Sequence, residues 1–310
     1  MQKTFTLLFL ILTGLGQVYA QQDPMYSQYM FNTLAINPAY AGSREVLSIT
    51  SLYRKQWVGI NGAPTSQTIS LDMPIARKNM GMGFQLYNDK LGISRNTGAY
   101  ASFAYRLRFP VGTLAFGMQL GVTQFQASYW SVVLDQYDRQ PDAAFDQNVL
   151  TFLPNVGTGV YYSTDRFYVG ASLPHLLKNR LNRSGENLVI GNRASQYRHL
   201  FLSGGYVFDL SERVKLKPST QIKTVIGAPL QFDANINTWF YDRFAVGLSY
   251  RTGDAMVGMI EFQLNPQFRL GYAYDWTTSK LTKYNSGSHE FMLRYELGFR
   301  RDRILSPRYF

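Results

Sequence analysis

The sequence predicts an all-β fold, namely a transmembrane antiparallel β-barrel of about 14 strands. Apolar and polar side chains alternate with a period of two through most of the chain. Long and short connections between these alternating stretches themselves alternate. The chain has 22 Tyr, 21 Phe and 26 Gly but only 16% charged residues, whereas a soluble domain carries about 25%.

Residues 1–20 have the features of a secretory signal peptide. Lys3 supplies the positive charge, residues 5–12 form an apolar core, and residues 18–20 offer small side chains for cleavage. The apolar core is well short of the roughly 20 residues that a spanning helix needs, and no stop-transfer stretch follows. We therefore favour a signal peptide over an N-terminal membrane anchor, and expect an exported chain that starts at Gln21.

The composition argues against several classes of protein. Because the sequence has no cysteine, it has neither a disulfide framework nor the lipid-acceptor cysteine of a bacterial lipoprotein. The formal net charge is +11, but Lys and Arg are scattered along strand-like stretches, so we expect no nucleic-acid binding. After residue 20 no apolar run is long enough for a transmembrane helix, so membrane attachment must come from the fold.

The alternation is clearest near the C-terminus. In HEFMLRYELGF, residues 289–299, Phe291 and Leu293 alternate with Glu290 and Arg294. This pattern fits a strand with one apolar and one polar face, and it fails at helical spacing. The same alternation defines strands at 44–54, 65–74, 81–88, 95–108, 111–125, 151–163, 166–173, 196–208, 213–223, 230–241, 243–252, 255–264, 267–277 and 288–299.

Two prolines fall inside these predicted strands. Pro154 and Pro218 cannot donate a backbone hydrogen bond, so we expect a bulge or a shortened strand at each position.

The connections distinguish a membrane barrel from a soluble β-sandwich, since both folds produce alternation. Alternate connections are long, at 55–64, 126–150, 174–195 and 278–287. Those between them are tight, at 109–112, 163–166, 209–213, 241–243 and 265–267. Long loops on one side and short turns on the other are typical of an outer-membrane barrel with periplasmic turns. An even strand count then places both termini in the periplasm.

Such a barrel must be closed, because each unpaired polar group at a strand edge in hydrocarbon costs several kcal/mol. The polar faces, with Asp233, Glu290 and Arg294, would then line a lumen. Aromatic residues expected at the membrane interfaces are Tyr53, Trp57, Tyr250 and Trp276.

Five stretches of the sequence together resemble one family. They are DPMYSQYMFNTLAINPAYAGS at 23–43, YRKQWVGINGAPTSQTISLDMPI at 53–75, SLPHLL at 172–177, GSHEFMLRY at 287–295 and SPRYF at 306–310. The first two are specific, and the others would be weak alone. In this order, over essentially the whole mature chain, they resemble the PorP/SprF outer-membrane proteins of the type IX secretion system.

The resemblance implies a non-enzymatic barrel that works with the type IX apparatus of Bacteroidota. Family members assist secretion or surface retention of large adhesins and other cargo, and some are linked to gliding motility. The implied partners are the secretion machinery with its periplasmic components, an exported cargo or adhesin, and outer-membrane lipid. No cofactor is implied. A passive porin or hydrophobic-solute transport barrel is the alternative function.

The expected organisation is a signal peptide at 1–20, an N-terminal segment at 21–43, the barrel at 44–299 and a periplasmic tail at 300–310. The N-terminal segment would lie at the periplasmic mouth or fold into the lumen, as a plug that presents a docking surface or as a structural latch. Its side chains suited to turns and packing are Asp23, Ser27, Asn32, Asn37, Tyr26, Tyr29, Phe31 and Tyr40.

The tail RRDRILSPRYF, residues 300–310, has a net charge of +3 from four arginines and one aspartate. It could be a peptide-like ligand for a periplasmic protein, an assembly signal or a frayed basic end. The loop 126–150 has a net charge of −3 and the loop 174–195 of +3, so they could pair or form a cargo-binding surface.

We expect no catalysis and no metal site. The sequence contains no G-x-S-x-G, H-E-x-x-H or P-loop motif, and the aspartates of loop 126–150 lack EF-hand spacing. The residues expected to bind partners are Asp23, Pro24, Ser27, Gln28, Tyr29, Asn32, Asn37, Pro38 and Gly42, then Trp57, Tyr129 and Trp130, and finally Arg308, Tyr309 and Phe310.

Overall fold

The computed structural model describes residues 26–75, 78–128, 148–179, 198–225 and 229–298, and these form one closed antiparallel sheet of 14 strands. The strands are β1 (Leu47–Lys55), β2 (Thr65–Ile75), β3 (Met80–Leu91), β4 (Ser94–Arg108), β5 (Thr113–Ala127), β6 (Val149–Ser163), β7 (Phe167–Leu173), β8 (His199–Tyr206, continued by Phe208–Asp209), β9 (Val214–Val225), β10 (Gln231–Phe240), β11 (Phe244–Arg251), β12 (Ala255–Gln263), β13 (Phe268–Thr277) and β14 (Ser288–Leu297). The ring closes where β14 pairs with β1. The predicted strand number and antiparallel pairing are confirmed.

The alternating faces are divided as the sequence predicted. On β14, Glu290 and Arg294 point inward and are 0% and 1% exposed. Phe291 and Leu293, between them, are 52% and 45% exposed on the outer wall. A polar interior and an apolar exterior are the arrangement that a lipid bilayer requires of a barrel.

Pro218 does not shorten its own strand. The neighbouring strand β8 is interrupted instead, because proline has no amide hydrogen to donate. Gly205 pairs with Ser219 and Phe208 pairs with Leu216, so the register is the same on both sides of the break. The two pieces therefore belong to one strand.

Pro154 also lies within a full-length strand. The neighbouring β7 pairs with β6 only from Thr158 onward, so no β7 residue faces Pro154. Its carbonyl oxygen accepts a hydrogen bond from Asn179 Nδ2 at 2.9 Å.

The barrel begins and ends slightly inside the predicted limits of 44–299. The first strand starts at Leu47 because the preceding residues form a turn. Glu45 has a left-handed backbone with φ of 58°, and Arg44 bonds sideways to Glu296 at 2.5 Å. These contacts keep residues 44–46 out of the sheet.

The two ends of the barrel differ. Among the described residues, the end with the tight connections, here called the turn end, holds 78–79, 109–112, 164–166, 210–213, 241–243 and 264–267. The opposite end, here called the loop end, holds 56–64, 92–93, 128, 148, 174–179, 198, 229–230, 252–254 and 278–287 of the described residues. Within the described ranges, none of the helices is long and apolar enough to cross a membrane.

Candidate functional site: the N-terminal segment inside the barrel

Residues 26–46, here called the interior segment, lie inside the ring of strands. The segment contains three short 3-10 turns, Tyr29–Phe31, Thr33–Ala35 and Pro38–Tyr40. Nearly all of its side chains are buried. It starts near the loop end and descends to the turn end, where the chain enters β1, so it spans the interior lengthwise.

A buried ionic cluster holds the start of the interior segment. Arg54 Nη2 lies 2.7 Å from Asp275 Oδ2, and Arg54 Nη1 lies 3.1 Å from Glu290 Oε2. Ser27 Oγ donates to Asp275 at 2.7 Å, while the amides of Ser27 and Gln28 donate to Glu290, both at 2.8 Å. We call Arg54, Asp275 and Glu290 the loop-end clamp. The segment completes the clamp, because its amides and hydroxyl satisfy carboxylate oxygens that are shielded from water.

Arg251 extends this network to the neighbouring wall. It pairs with Asp233 at 3.1 Å and with Asp275 at 3.7 Å, and its Nη2 donates to the carbonyl oxygen of Tyr26 at 3.3 Å. The interior segment is therefore bound to strands β1, β11, β13 and β14 near the loop end.

Glycines form a seat for the middle of the segment. A side chain at Gly117 would collide with the backbone of Ala39, and one at Gly159 or Gly170 would collide with the amide of Asn37. Asn37 uses its side-chain oxygen to accept from Ala39 N at 2.9 Å, which caps the turn Pro38–Tyr40. The inward glycines of β5, β6 and β7 thus allow the segment to approach the wall at backbone distance.

The SLPHLL stretch, residues 172–177, supports the same region. Ser172 Oγ donates to the carbonyl oxygen of Ile36 at 2.6 Å. After β7 the chain continues into the interior, where the Pro174 carbonyl oxygen accepts from Gln119 Nε2 at 3.0 Å. His175 packs edge-on against Tyr100, with ring centroids 5.5 Å apart.

Aromatic side chains of the segment pack against strand β10. Tyr29 Oη accepts from Asn235 Nδ2 at 2.6 Å, and Phe31 meets Trp239 edge to face at 6.5 Å. The interior segment is therefore held against β10 by a hydrogen bond and by an aromatic contact.

A second set of contacts fixes the segment at the turn end. The Gly42 amide donates to Asp72, and the Gly42 carbonyl oxygen accepts from Arg106 Nη1 at 2.5 Å. Gly42 has φ of 75°, and a side chain there would collide with Gly81 on β3. Only glycine therefore fits at this crossing.

Little space remains beside the interior segment along strands β8–β11. A cavity of about 20 Å³ lies there, enough for about one water molecule. Its lining residues are Tyr26, Tyr29, Ile36, Phe201, Gln221, Lys223, Gln231, Asp233 and Arg251.

The structure brings seven of the predicted partner-binding residues together inside the barrel. These are Ser27, Gln28, Tyr29, Asn32, Asn37, Pro38 and Gly42. Trp57 lies apart at the loop end, where its amide donates to Ser288 Oγ at 3.1 Å. The other predicted residues, Asp23, Pro24, Tyr129, Trp130, Arg308, Tyr309 and Phe310, lie outside the described residues.

The sequence did not identify Arg54 as a residue of this site. Two other inward carboxylates pair with an arginine on the next strand, Glu261 with Arg269 at 2.7 Å and Asp233 with Arg251 at 3.1 Å. Glu290 instead pairs with Arg54, which is 236 residues away along the chain. The inward position of Arg54 on β1 was the available signal. Among the described residues, no group of three His, Cys, Asp or Glu side chains could hold a metal ion.

Comparison with known protein families identifies the family to which this barrel belongs. The model of the type IX secretion system membrane protein PorP/SprF matches residues 18–295, which is most of the chain. The chain belongs to the PorP/SprF family. No curated protein matches this PorP/SprF protein.

Solved structures similar to the PorP/SprF protein are outer-membrane barrels. The monoaromatic hydrocarbon channel CymD is 13% identical, with a TM-score of 0.53 over 94% of this chain and 97% of that chain. The Ralstonia pickettii toluene transporter TbuX is 10% identical, with a TM-score of 0.53 over 91% and 96%. At such identities the likeness shows the fold alone. The PorP/SprF protein is thus a non-enzymatic outer-membrane β-barrel of the type IX secretion system.

Proposed function

We propose that this protein is a sealed barrel that assists secretion or surface anchoring of exported proteins such as large adhesins, including those used in gliding. The main support is the interior segment, which is held by buried charges at both ends and seated on glycines between them. A barrel filled in this way is suited to holding partners at its ends. It is poorly suited to passing solutes through its centre.

The proposed orientation places the turn end, the C-terminal tail 300–310 and the periplasmic machine components on one side. The loop end then faces outward, towards the exported cargo. Support comes from the asymmetry of the connections, because outer-membrane barrels keep short turns in the periplasm and longer loops outside.

A passive porin or hydrophobic-solute transport barrel is the second candidate. The fold likeness to a hydrocarbon channel and a toluene transporter favours it. Against it, the interior beside β13 and β14 is occupied by the ionic loop-end clamp and the interior segment, which would not solvate an apolar molecule.

Conductance across a planar bilayer separates the two candidates. We expect the purified protein to give no steady ion conductance, because the interior segment fills the lumen. Steady single-channel steps from correctly folded protein would contradict the sealed barrel and favour the porin.

A deletion in cells tests the secretion role. Removing residues 26–42 while retaining the signal peptide should reduce cargo secretion or display, provided that heat-modifiable migration shows an assembled barrel. Normal secretion with the barrel assembled would restrict this segment to a structural latch. Co-purification of bound chains from outer membranes would identify the cargo.

The tail requires its own test. Phe310→Ala should leave the amount of barrel unchanged but reduce cargo display if the C-terminus docks a periplasmic partner. Loss of the barrel itself would indicate an assembly signal, and unchanged display would leave no docking role for Phe310.

A further inference from the structure

Three basic side chains that are distant in sequence form one row on the outer wall. Strand register places Lys55 opposite Thr65, Thr65 opposite Lys90, and Lys90 opposite Arg95. All four occupy outward-facing positions, and the three basic side chains are exposed. With strands about 4.8 Å apart, the backbones of Lys90 and Arg95 are adjacent, and that of Lys55 is about 10 Å from Lys90. We call Lys55, Lys90 and Arg95 the cationic row.

The rows beneath it change from polar to apolar. The next outward row towards the turn end consists of Tyr53, Gln67, Asn88, Thr97 and Gln124. The row after that consists of Ser51, Ile69, Leu86, Ala99 and Val122. From the loop end downward, the wall therefore presents cations, then hydrogen-bonding groups, then apolar side chains. This is the order of phosphate, glycerol or sugar, and acyl chain in a membrane lipid.

Within the described residues, no acidic side chain occupies an outward position on this surface. On the outward positions of β1–β5, which all lie in the described part of the chain, the charged residues are the three members of the cationic row. None of the three forms an ion pair with another described residue. The 278–287 loop, joined to the 56–64 loop at Val58, adds exposed Lys280 and Lys283.

The opposite side of the barrel lacks this feature. Outward positions of β10–β13 carry no charged residue, and near the loop end they present Phe232, Tyr250, Met256 and Trp276. Among the outward strand positions of the described residues, Lys and Arg are thus confined to β1, β3 and β4, whereas a general interfacial belt would surround the whole barrel.

We propose that the cationic row binds the phosphate of an anionic membrane lipid whose acyl chains lie on the apolar rows of β1–β5 below it. Several Lys and Arg side chains with adjacent hydrogen-bond donors can bind the oxygen atoms of a phosphate group. This inference concerns the outer wall and does not depend on the secretion role.

Native mass spectrometry of the purified full chain with added phosphatidylglycerol or phosphatidylcholine tests the proposal. The wild type should bind phosphatidylglycerol preferentially. The variant Lys55→Gln, Lys90→Gln, Arg95→Gln should bind it about 100-fold more weakly, as expected from losing three charges near a phosphate layer. The matched variant Lys78→Gln, Arg213→Gln, Arg243→Gln removes three exposed turn-end charges and should retain wild-type binding.

Several outcomes would overturn the proposal. Equal loss in both triple variants would indicate a general charge effect, and unchanged lipid binding with loss of a co-purified protein would indicate an acidic protein partner. Displacement of the lipid by inorganic phosphate alone, at similar concentration, would indicate a free-anion site. Heat-modifiable migration confirms that each variant is folded before binding is compared.

Discussion

Arg54 contributes more to the stability of the barrel than a surface charge does, because its two carboxylate partners are buried with it. Replacing Arg54 with Met would leave Glu290 without its cation, and would leave Asp275 with only the longer 3.7 Å contact to Arg251. We expect a loss of about 3–5 kcal/mol in the free energy of unfolding in detergent micelles, as for other broken buried pairs.

A surface pair provides the matched control. Arg166 lies 2.7 Å from Asp209, the same separation as Arg54 from Asp275, but its side chain is 62% exposed. Arg166→Met should therefore change the free energy of unfolding by less than about 1 kcal/mol. Equal effects of the two substitutions would mean that the loop-end clamp contributes no more than a surface contact.

The inward glycines give a second prediction at the scale of residues. Gly117→Val places a side chain where the backbone of Ala39 lies, so the interior segment should be displaced and become sensitive to added protease. Gly258→Val is the control, since Gly258 faces outward from β12 with open space around it. If the interior segment resisted protease in both variants, the glycine at 117 would not be needed to hold it against the wall.

The inward direction of these residues could be predicted from the sequence, but their partners could not. Alternation alone put Glu290 and Arg294 on one face of β14. Residues four apart on a strand lie about 13 Å from each other, so they cannot pair directly. The partner had to come from another strand, and the register that brings Arg54 to Glu290 is set by the closure of the ring.

At the scale of elements, the interior segment should determine whether the barrel conducts. Deleting residues 26–42 removes the groups that fill the lumen, so planar bilayers should show channel steps that the full chain lacks. A chain without residues 300–310 is the control and should remain closed. Conductance that is unchanged by the deletion would place the seal elsewhere.

The sequence indicated an ordered aromatic segment before the first strand, but not its path. Short 3-10 turns have no long periodicity, so nothing in residues 26–46 specifies a direction. The inward glycines at 117 and 170 leave room for an inserted element. Their contacts with Asn37 and Ala39 depend on the folded wall.

At the scale of the whole molecule, the absence of cysteine allows a direct test of orientation. Tyr284 at the loop end is 70% exposed, and Val111 at the turn end is 76% exposed. A membrane-impermeant maleimide should label Tyr284→Cys in intact cells and Val111→Cys only after the outer membrane is opened. The reverse pattern would invert the proposed orientation.

The outer wall shows what register adds to a sequence. Lys55, Lys90 and Arg95 are scattered along the chain, and no local pattern groups them. The successive pairing of β1 with β2, of β2 with β3 and of β3 with β4 brings them into one row. Fold class and face assignment therefore follow from local pattern, whereas a surface composed of several strands requires their exact alignment along the sheet.

Closure of β1 against β14 has a consequence for assembly. The interior segment precedes β1 in the chain and is enclosed once the two strands meet. Once the barrel is closed, with ionic contacts at both ends of the interior segment, this segment has no easy route into it. The strands must instead assemble around the interior segment while it is already in place. Residues 26–46 therefore act as a template for the strands that follow them in the chain.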